Sequence, residues 1–316
     1  MAIDWRIRAL HWYGTRAGRA FRPDLTVEAF RAGYAQMNRQ LGLRERGVVD
    51  EREVVIPTDA GPVRARLYVA AGAAPLPLLV YFHGGGFVIG DVPSYGHLTR
   101  FLALHSGCAV LSVGYRLAPE FRFPRGHEDA FAAYAWARGH GDELGTDPAR
   151  VAVAGDSAGG NLAADIGAFA AERGLPSPAY QLLIYPFTDG TASLPSRTRS
   201  DRGAPFTPAV AEWFHRMSAI DDAALATPLF APLLVPSLAA SPPTYVLAAG
   251  YDPLVDEGRA YAEKLRTQGV PVTYDLRPTL THGFVNIAGV VPEARRALLA
   301  GAHAVREALA VRAEAA

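Results

Sequence analysis

Gly155-Asp156-Ser157-Ala158-Gly159 sets a serine midway between two glycines. This Gly-x-Ser-x-Gly spacing suits a nucleophile elbow, a sharp strand-to-helix turn that lifts the serine oxygen off the end of a sheet. The flanking glycines relieve crowding in that turn. The chemistry is covalent: an activated hydroxyl attacks a carbonyl carbon and divides one difficult displacement into two easier ones. A second motif, His83-Gly84-Gly85-Gly86, supplies what such an attack needs. Negative charge builds on the carbonyl oxygen, and N–H groups on a backbone that glycine lets approach closely stabilise it. Gly85 and Gly86, with Ala158 behind the serine, are the expected donors. His83 precedes the nucleophile in the chain and is read as a structural hydrogen-bonding residue, not as the base.

In sheets that carry this elbow the order is serine, then acid, then histidine, which leaves His215, His282 and His303 as candidate bases. His215 falls in a segment that interrupts the regular pattern and His303 inside the last helix. His282 follows the last expected strand and precedes Gly283-Phe284, so it is the expected base. The acid should end the strand before it, where Thr244–Ala249 runs into Gly250-Tyr251-Asp252-Pro253. Asp252 is therefore the expected orienting acid, with Asp256 as the alternative. Asp256 and Glu257 begin the following helix, where acidic residues favour the N-terminus.

These residues require elements that hold them at one sheet edge. From Glu53 onward short β-branched runs alternate with helical patterns, the signature of a mostly parallel sheet covered by helices. Strands are expected near 52–57, 63–69, 78–83, 109–114, 151–155, 180–185, 244–249 and 270–276. Leu78–Phe82 and Val151–Ala154 do not alternate with polar residues, as strands buried on both faces should not. Helices are expected near 94–106, 126–140, 157–173, 256–268 and 292–312.

Two stretches fall outside this alternation: residues 1–45, and about 187–225. In the first, Phe30, Tyr34, Met37 and Leu41 recur at helical spacing after Pro23-Asp24, which can start a helix. Both stretches carry large apolar side chains, Trp12, Tyr13, Phe30 and Tyr34 in one and Phe206, Trp213 and Phe214 in the other. They are expected to form a helical cap over a catalytic domain of residues 46–316, covering the crevice at the carboxyl ends of the strands.

The chain has 316 residues, half of them hydrophobic, enough for one large α/β domain with an insertion or for two ordinary domains. Basic and acidic residues both number 31, so no global field favours nucleic acid or a strongly charged partner. A nearly neutral small-molecule substrate fits this balance. Lys264 is the sole lysine, which leaves little room for Schiff-base chemistry. Cys108 is the sole cysteine, so no intramolecular disulfide can form and a cytoplasmic setting fits best. The start lacks an apolar signal core, and no run approaches the ~18 apolar residues of a membrane span, so no membrane insertion is expected.

On these motifs the sequence resembles the bacterial hormone-sensitive-lipase-like carboxylesterases of the α/β-hydrolase superfamily. The resemblance spans roughly residues 75 to 290 and includes Tyr115-Arg116-Leu117-Ala118-Pro119-Glu120 and Asp252-Pro253-Leu254 with Asp256-Glu257-Gly258. It implies the α/β-hydrolase fold, hydrolysis of short to medium acyl esters, a two-part helical cap, no cofactor or metal, and a possible homodimer. It places the triad on Ser157, Asp252 and His282. Leu276–Thr281 departs from the family pattern. A receptor that has kept the fold but lost the reaction, like the plant gibberellin receptors, is the competing reading; those lack the histidine found here at position 282. Metal-dependent hydrolysis lacks a ligand motif such as His-Glu-x-x-His. The residues leave open whether the natural substrate is an ester, a lactone or an aryl acetate.

Overall fold

The uninterrupted apolar runs form the middle of the sheet. The computed structural model describes residues 2–17, 24–72, 75–191, 194–199 and 203–310. Its eight strands are β1 (Val49–Ile56), β2 (Val63–Ala70), β3 (Leu76–Phe82), β4 (Ala109–Gly114), β5 (Thr146–Asp156), β6 (Gln181–Ile184), β7 (Thr244–Tyr251) and β8 (Val272–Thr281). They lie in the order β1-β2-β4-β3-β5-β6-β7-β8. The two edge pairings, β1 with β2 and β2 with β4, are antiparallel, and all others are parallel. Leu78 to Phe82 are fully buried, as helices on both faces require.

The first two helices are α1 (Trp5–Arg16) and α2 (Val27–Leu41), followed by α3 (Val92–Ser106), α4 (Arg125–Gly139) and the short α5 (Gly141–Leu144). Then come α6 (Ala158–Phe169), α7 (Pro208–Ser218), the short α8 (Asp222–Leu225), α9 (Val255–Thr267) and α10 (Pro292–Leu309). One apolar layer joins the sheet to α4, α6 and α9; a second joins its other face to α3 and α10. A third, smaller cluster lies apart from the sheet and joins Phe30 and Tyr34 of α2 to Val210, Trp213 and Phe214 of α7.

Some boundaries differ from the sequence reading. Helix α2 starts at Val27, where the Thr26 hydroxyl accepts the Ala29 N–H, rather than at Asp24; Pro23 lies outside the described residues. Strand β8 continues through Leu276–Thr281, because pairing with β7 resumes at Tyr251 and Thr281 after a register shift at Gly250. The last helix ends at Leu309, and 311–312 lie outside the described residues.

Strands β3 and β5 pair closely where the site begins. A β-carbon at Gly155 would sit 2.7 Å from the carbonyl oxygen of Phe82 and closer still to that of Gly159. Both obstacles are backbone and cannot swing aside. Gly155→Ala is therefore expected to cost about 3 kcal/mol or more in urea unfolding. Gly139→Ala, with open space around the added methyl, should change stability by about 1 kcal/mol at most, towards greater stability. Equal effects for the two substitutions would contradict the crowding argument.

Candidate functional site

The serine stands on a strained turn. Ser157 directly follows β5 and caps α6, with φ +54° and ψ −118°, a backbone conformation that a side-chain-bearing residue holds only when its surroundings enforce it. Enforcement comes from both sides: the Ser157 N–H donates to the Ile184 carbonyl at 2.9 Å, and its carbonyl accepts from Phe187 and Asn161 at 3.1 and 3.0 Å. The turn delivers the hydroxyl to the carboxyl edge of the sheet, where the residues after β3, β7 and β8 also emerge.

There the structure brings together the three residues singled out from the sequence. Ser157 Oγ lies 2.9 Å from His282 Nε2, and His282 Nδ1 lies 2.8 Å from Asp252 Oδ2. Asp252 can only accept, so Nδ1 carries the proton and Nε2 is left to accept from the serine hydroxyl. The other carboxylate oxygen of Asp252 accepts the Leu254 N–H at 2.8 Å, which fixes the carboxylate plane. All three residues are buried, and the imidazole lies against Phe206, stacked at 4.3 Å, and against the tilted ring of Tyr185 at 4.6 Å. Asp256 is engaged elsewhere, accepting the Ser196 N–H at 2.9 Å.

A residue that the sequence reading passed over organises the opposite wall. The buried carboxylate of Asp156 accepts the Gly84 N–H at 2.8 Å and the hydroxyls of Tyr81, Tyr95 and Tyr185 at 2.6, 3.1 and 3.3 Å. Burial raises its pKa, and the bonds from Tyr81, Gly84 and Tyr95 oppose that shift. An acid beside the serine, at the end of an otherwise apolar strand, was the signal available in the sequence. Gly85 and Gly86 follow with φ +116° and +59°, and together with Ala158 they border the same cavity as Ser157. Ala158 opens α6, where N–H groups have no partner within the helix. His83 is buried, donates from Nδ1 to the Gly84 carbonyl at 2.8 Å and stacks on Tyr115 at 4.5 Å; burial lowers its pKa to about 4.

The cavity measures about 260 Å³ and is mainly apolar, with Phe30, Met37, Phe206, Phe214, Leu254 and Ile287 in its walls. The two added stretches supply four of these. Arg31 of α2 clamps one stretch to the core through Glu120 at 2.7 and 2.8 Å and through the Val88 and Ala118 carbonyls. One expectation needs correction: Trp12 and Tyr13 are each 57% exposed and do not line the cavity. Glu257 lies in the first turn of α9 as expected; it is also fully buried, accepts the Thr188 and Asp189 N–H groups and lies 3.3 Å from Arg197, and burial pushes its pKa up to about 8 against the pull of that arginine. His215, also at the cavity, approaches Arg197 at 3.4 Å and not the serine; burial, with a smaller contribution from that cation, lowers its pKa to about 4.

Residues 79–286 match the family described as alpha/beta hydrolase fold. Esterase LipI of Mycobacterium tuberculosis is 41% identical over 294 residues, covering 90% of each chain. Carboxylic ester hydrolase LipN of the same organism is 43% identical over 245 residues, which cover 76% of this chain and 65% of LipN. The chain thus spans slightly less than two thirds of that relative. Among solved structures, a hyperthermophilic esterase from the archaeon Pyrobaculum calidifontis superposes with a TM-score of 0.92 at 37% identity, over 98% of this chain and all of the other.

Two outcomes follow from the geometry. In Asp156→Asn the amide nitrogen cannot accept from tyrosine hydroxyls, so the loop at Gly84 loosens; the rate at which a fluorophosphonate labels Ser157 should fall roughly tenfold, a loss of about 1.4 kcal/mol. An unchanged labelling rate would contradict the bracing role. His83 is neutral in the fold with a pKa of about 4, below the ~6.5 of an unfolded histidine. Its contribution is therefore complete above pH 6.5 and is lost as pH falls towards 4. The stability cost of His83→Gln, measured by urea unfolding, should shrink by about 3 kcal/mol between pH 7 and pH 4. A cost independent of pH would show that His83 takes up its proton in the fold.

Proposed function

The chain belongs to the alpha/beta hydrolase fold family, and from that premise we propose that it is a serine carboxylesterase that cleaves short to medium acyl esters through an acyl-enzyme on Ser157. The observation that carries this reading is the continuous row of contacts from Ser157 Oγ through His282 to Asp252, at 2.9 and 2.8 Å, opening on an apolar cavity. The names of the relatives, esterase and carboxylic ester hydrolase, support the same chemistry.

In the proposed cycle His282 Nε2 takes the hydroxyl proton as Ser157 Oγ attacks the ester carbonyl carbon. Asp252 holds the imidazole in the required tautomer and stabilises its cation. The N–H groups of Gly85, Gly86 and Ala158 receive the oxyanion. The proton then passes to the leaving alkoxide, the C–O bond breaks and the acyl group remains on the serine. Water, deprotonated by the same imidazole, repeats the attack and releases the acid. The mainly apolar wall around a cavity of about 260 Å³ favours alkyl or aryl groups of modest size over long lipid chains. Residues 1–45 and about 187–225 act as the cap in this reading, since Phe30 and Phe214 wall the cavity and Phe206 packs on the His282 ring.

Turnover of p-nitrophenyl butyrate should fall by roughly four orders of magnitude in Ser157→Ala and in His282→Ala, and nearly as far in Asp252→Asn, with thermal stability little changed. Near-normal turnover in any of them would remove that residue from the mechanism. Phe214 lies against Gly86, so Phe214→Ala should enlarge the cavity and move the preferred acyl chain to greater length. A rate profile over esters of increasing chain length that matches the parent enzyme would remove α7 from the substrate wall.

A further inference from the structure

Helix α1 is anchored on one side and unusually furnished on the other. Its inner side is settled: Ile7 is buried, as is Ile3 just before the helix, the Asp4 N–H at the cap donates to the Thr279 carbonyl at 3.0 Å, and His11 reaches the wall of the cavity that holds Ser157. The outer side carries Trp5, 66% exposed, and Trp12, 57% exposed. Seven residues is two helical turns, so these indoles stand one above the other on one face. Arg8 and Arg16 are exposed on that face as well, within about 60° of Trp5 around the helix axis. The Arg16 guanidinium sits 4.3 Å over the Trp12 ring, and that of Arg6 sits 4.7 Å over Trp5.

The charge of the segment is one-sided. From Trp5 to Pro23 the sequence has five arginines, at positions 6, 8, 16, 19 and 22, and no acidic residue, in a chain whose formal net charge is zero. A face that alternates indoles with arginines is ill suited to a purely aqueous boundary and equally ill suited to an apolar core. It fits the headgroup level of a lipid leaflet, where an indole has an apolar body and a polar tip and an arginine can lay its stem along acyl chains while its head meets phosphate. Each arginine near an anionic leaflet strengthens binding roughly fivefold.

We infer that α1 docks this protein on an anionic lipid surface through Trp5, Trp12, Arg8 and Arg16. With 12 residues the helix lies in the plane of the surface and does not cross it, since a span needs ~20. Because His11 on the same helix lines the cavity, docking sets the cavity beside the surface in which lipophilic esters concentrate. That last consequence rests on the esterase reading; the docking itself does not.

The test is co-sedimentation of the full chain with sucrose-loaded vesicles of phosphatidylcholine, with and without phosphatidylglycerol, at low and high salt. Binding to the anionic vesicles that weakens with salt is expected, and it should drop at least tenfold in Trp5→Ser/Trp12→Ser and in Arg8→Gln/Arg16→Gln. Both variants should keep the melting temperature and the turnover of soluble p-nitrophenyl acetate. Failure of the parent protein to bind anionic vesicles, or equal binding by the variants, overturns the docking. So does a dimer in sedimentation velocity that dissociates in the tryptophan variant without vesicle binding, which would give this face to a second copy of the chain. A parent protein that binds vesicles but hydrolyses no ester would leave the docking in place and remove the esterase reading.

Discussion

A single buried carboxylate holds the two halves of the site in register. Asp156 sits immediately before the serine turn and receives bonds from the end of β3, the glycine loop behind it, α3 and the segment after β6. Sheet pairing already brings the ends of β3 and β6 beside β5, and the carboxylate adds the glycine loop and α3 to that junction. An isolated buried carboxylate is costly, and four donors are what make it tolerable. The same demand for donors fixes where the loop at Gly84 must lie, and hence where Gly85 and Gly86 face Ser157. The arrangement costs burial energy at Asp156 and returns positional accuracy at the serine.

The network does not stop at the carboxylate. The Tyr95 hydroxyl lies 2.7 Å from that of Tyr34 on α2, and Tyr34 accepts from Asn286 at 2.9 Å, four residues beyond His282. A continuous polar chain thus joins the N-terminal stretch, the serine turn and the segment that carries the base. Tyr34 thereby ties α2 to the same hydrogen-bonded tyrosines that surround Asp156. The aromatic contacts of Phe30 with Trp213 and Phe214 at 5.5 and 5.8 Å tie the second added stretch to the first. In the esterase reading these contacts exclude bulk water from the proton transfer between Ser157 and His282.

What the sequence made legible follows from the kind of constraint involved. Parallel strands buried on both faces leave uninterrupted apolar runs, and a turn too crowded for a β-carbon leaves glycines, so β3, β5, the elbow and the glycine loop could be read directly. The order of Ser157, Asp252 and His282 after the ends of β5, β7 and β8 carried their juxtaposition. Buried polar contacts leave no such trace. Tyr95 is 61 residues from Asp156, and nothing periodic links the two. Glu257 was placed correctly at a helix start, but only tertiary packing reveals that Arg197 and two backbone amides enclose it. Trp12 and Tyr13 were misread: an indole or phenol is assumed to seek cover, yet the buried places at this end of the chain are taken by Ile7 of α1 and by Ile3 just before it.

The proposed acyl-enzyme forms on Ser157, whose hydroxyl lies against His282 Nε2 and faces a braced donor loop. The most direct test is rapid-quench mass spectrometry during the first turnover of p-nitrophenyl acetate, followed by peptide mapping. The account predicts one acetyl group per chain, formed within the burst of p-nitrophenol and located on Ser157, that disappears as the ester is exhausted. Ester turnover with no acetylated protein, or an acetyl group that accumulates on another residue, would contradict it.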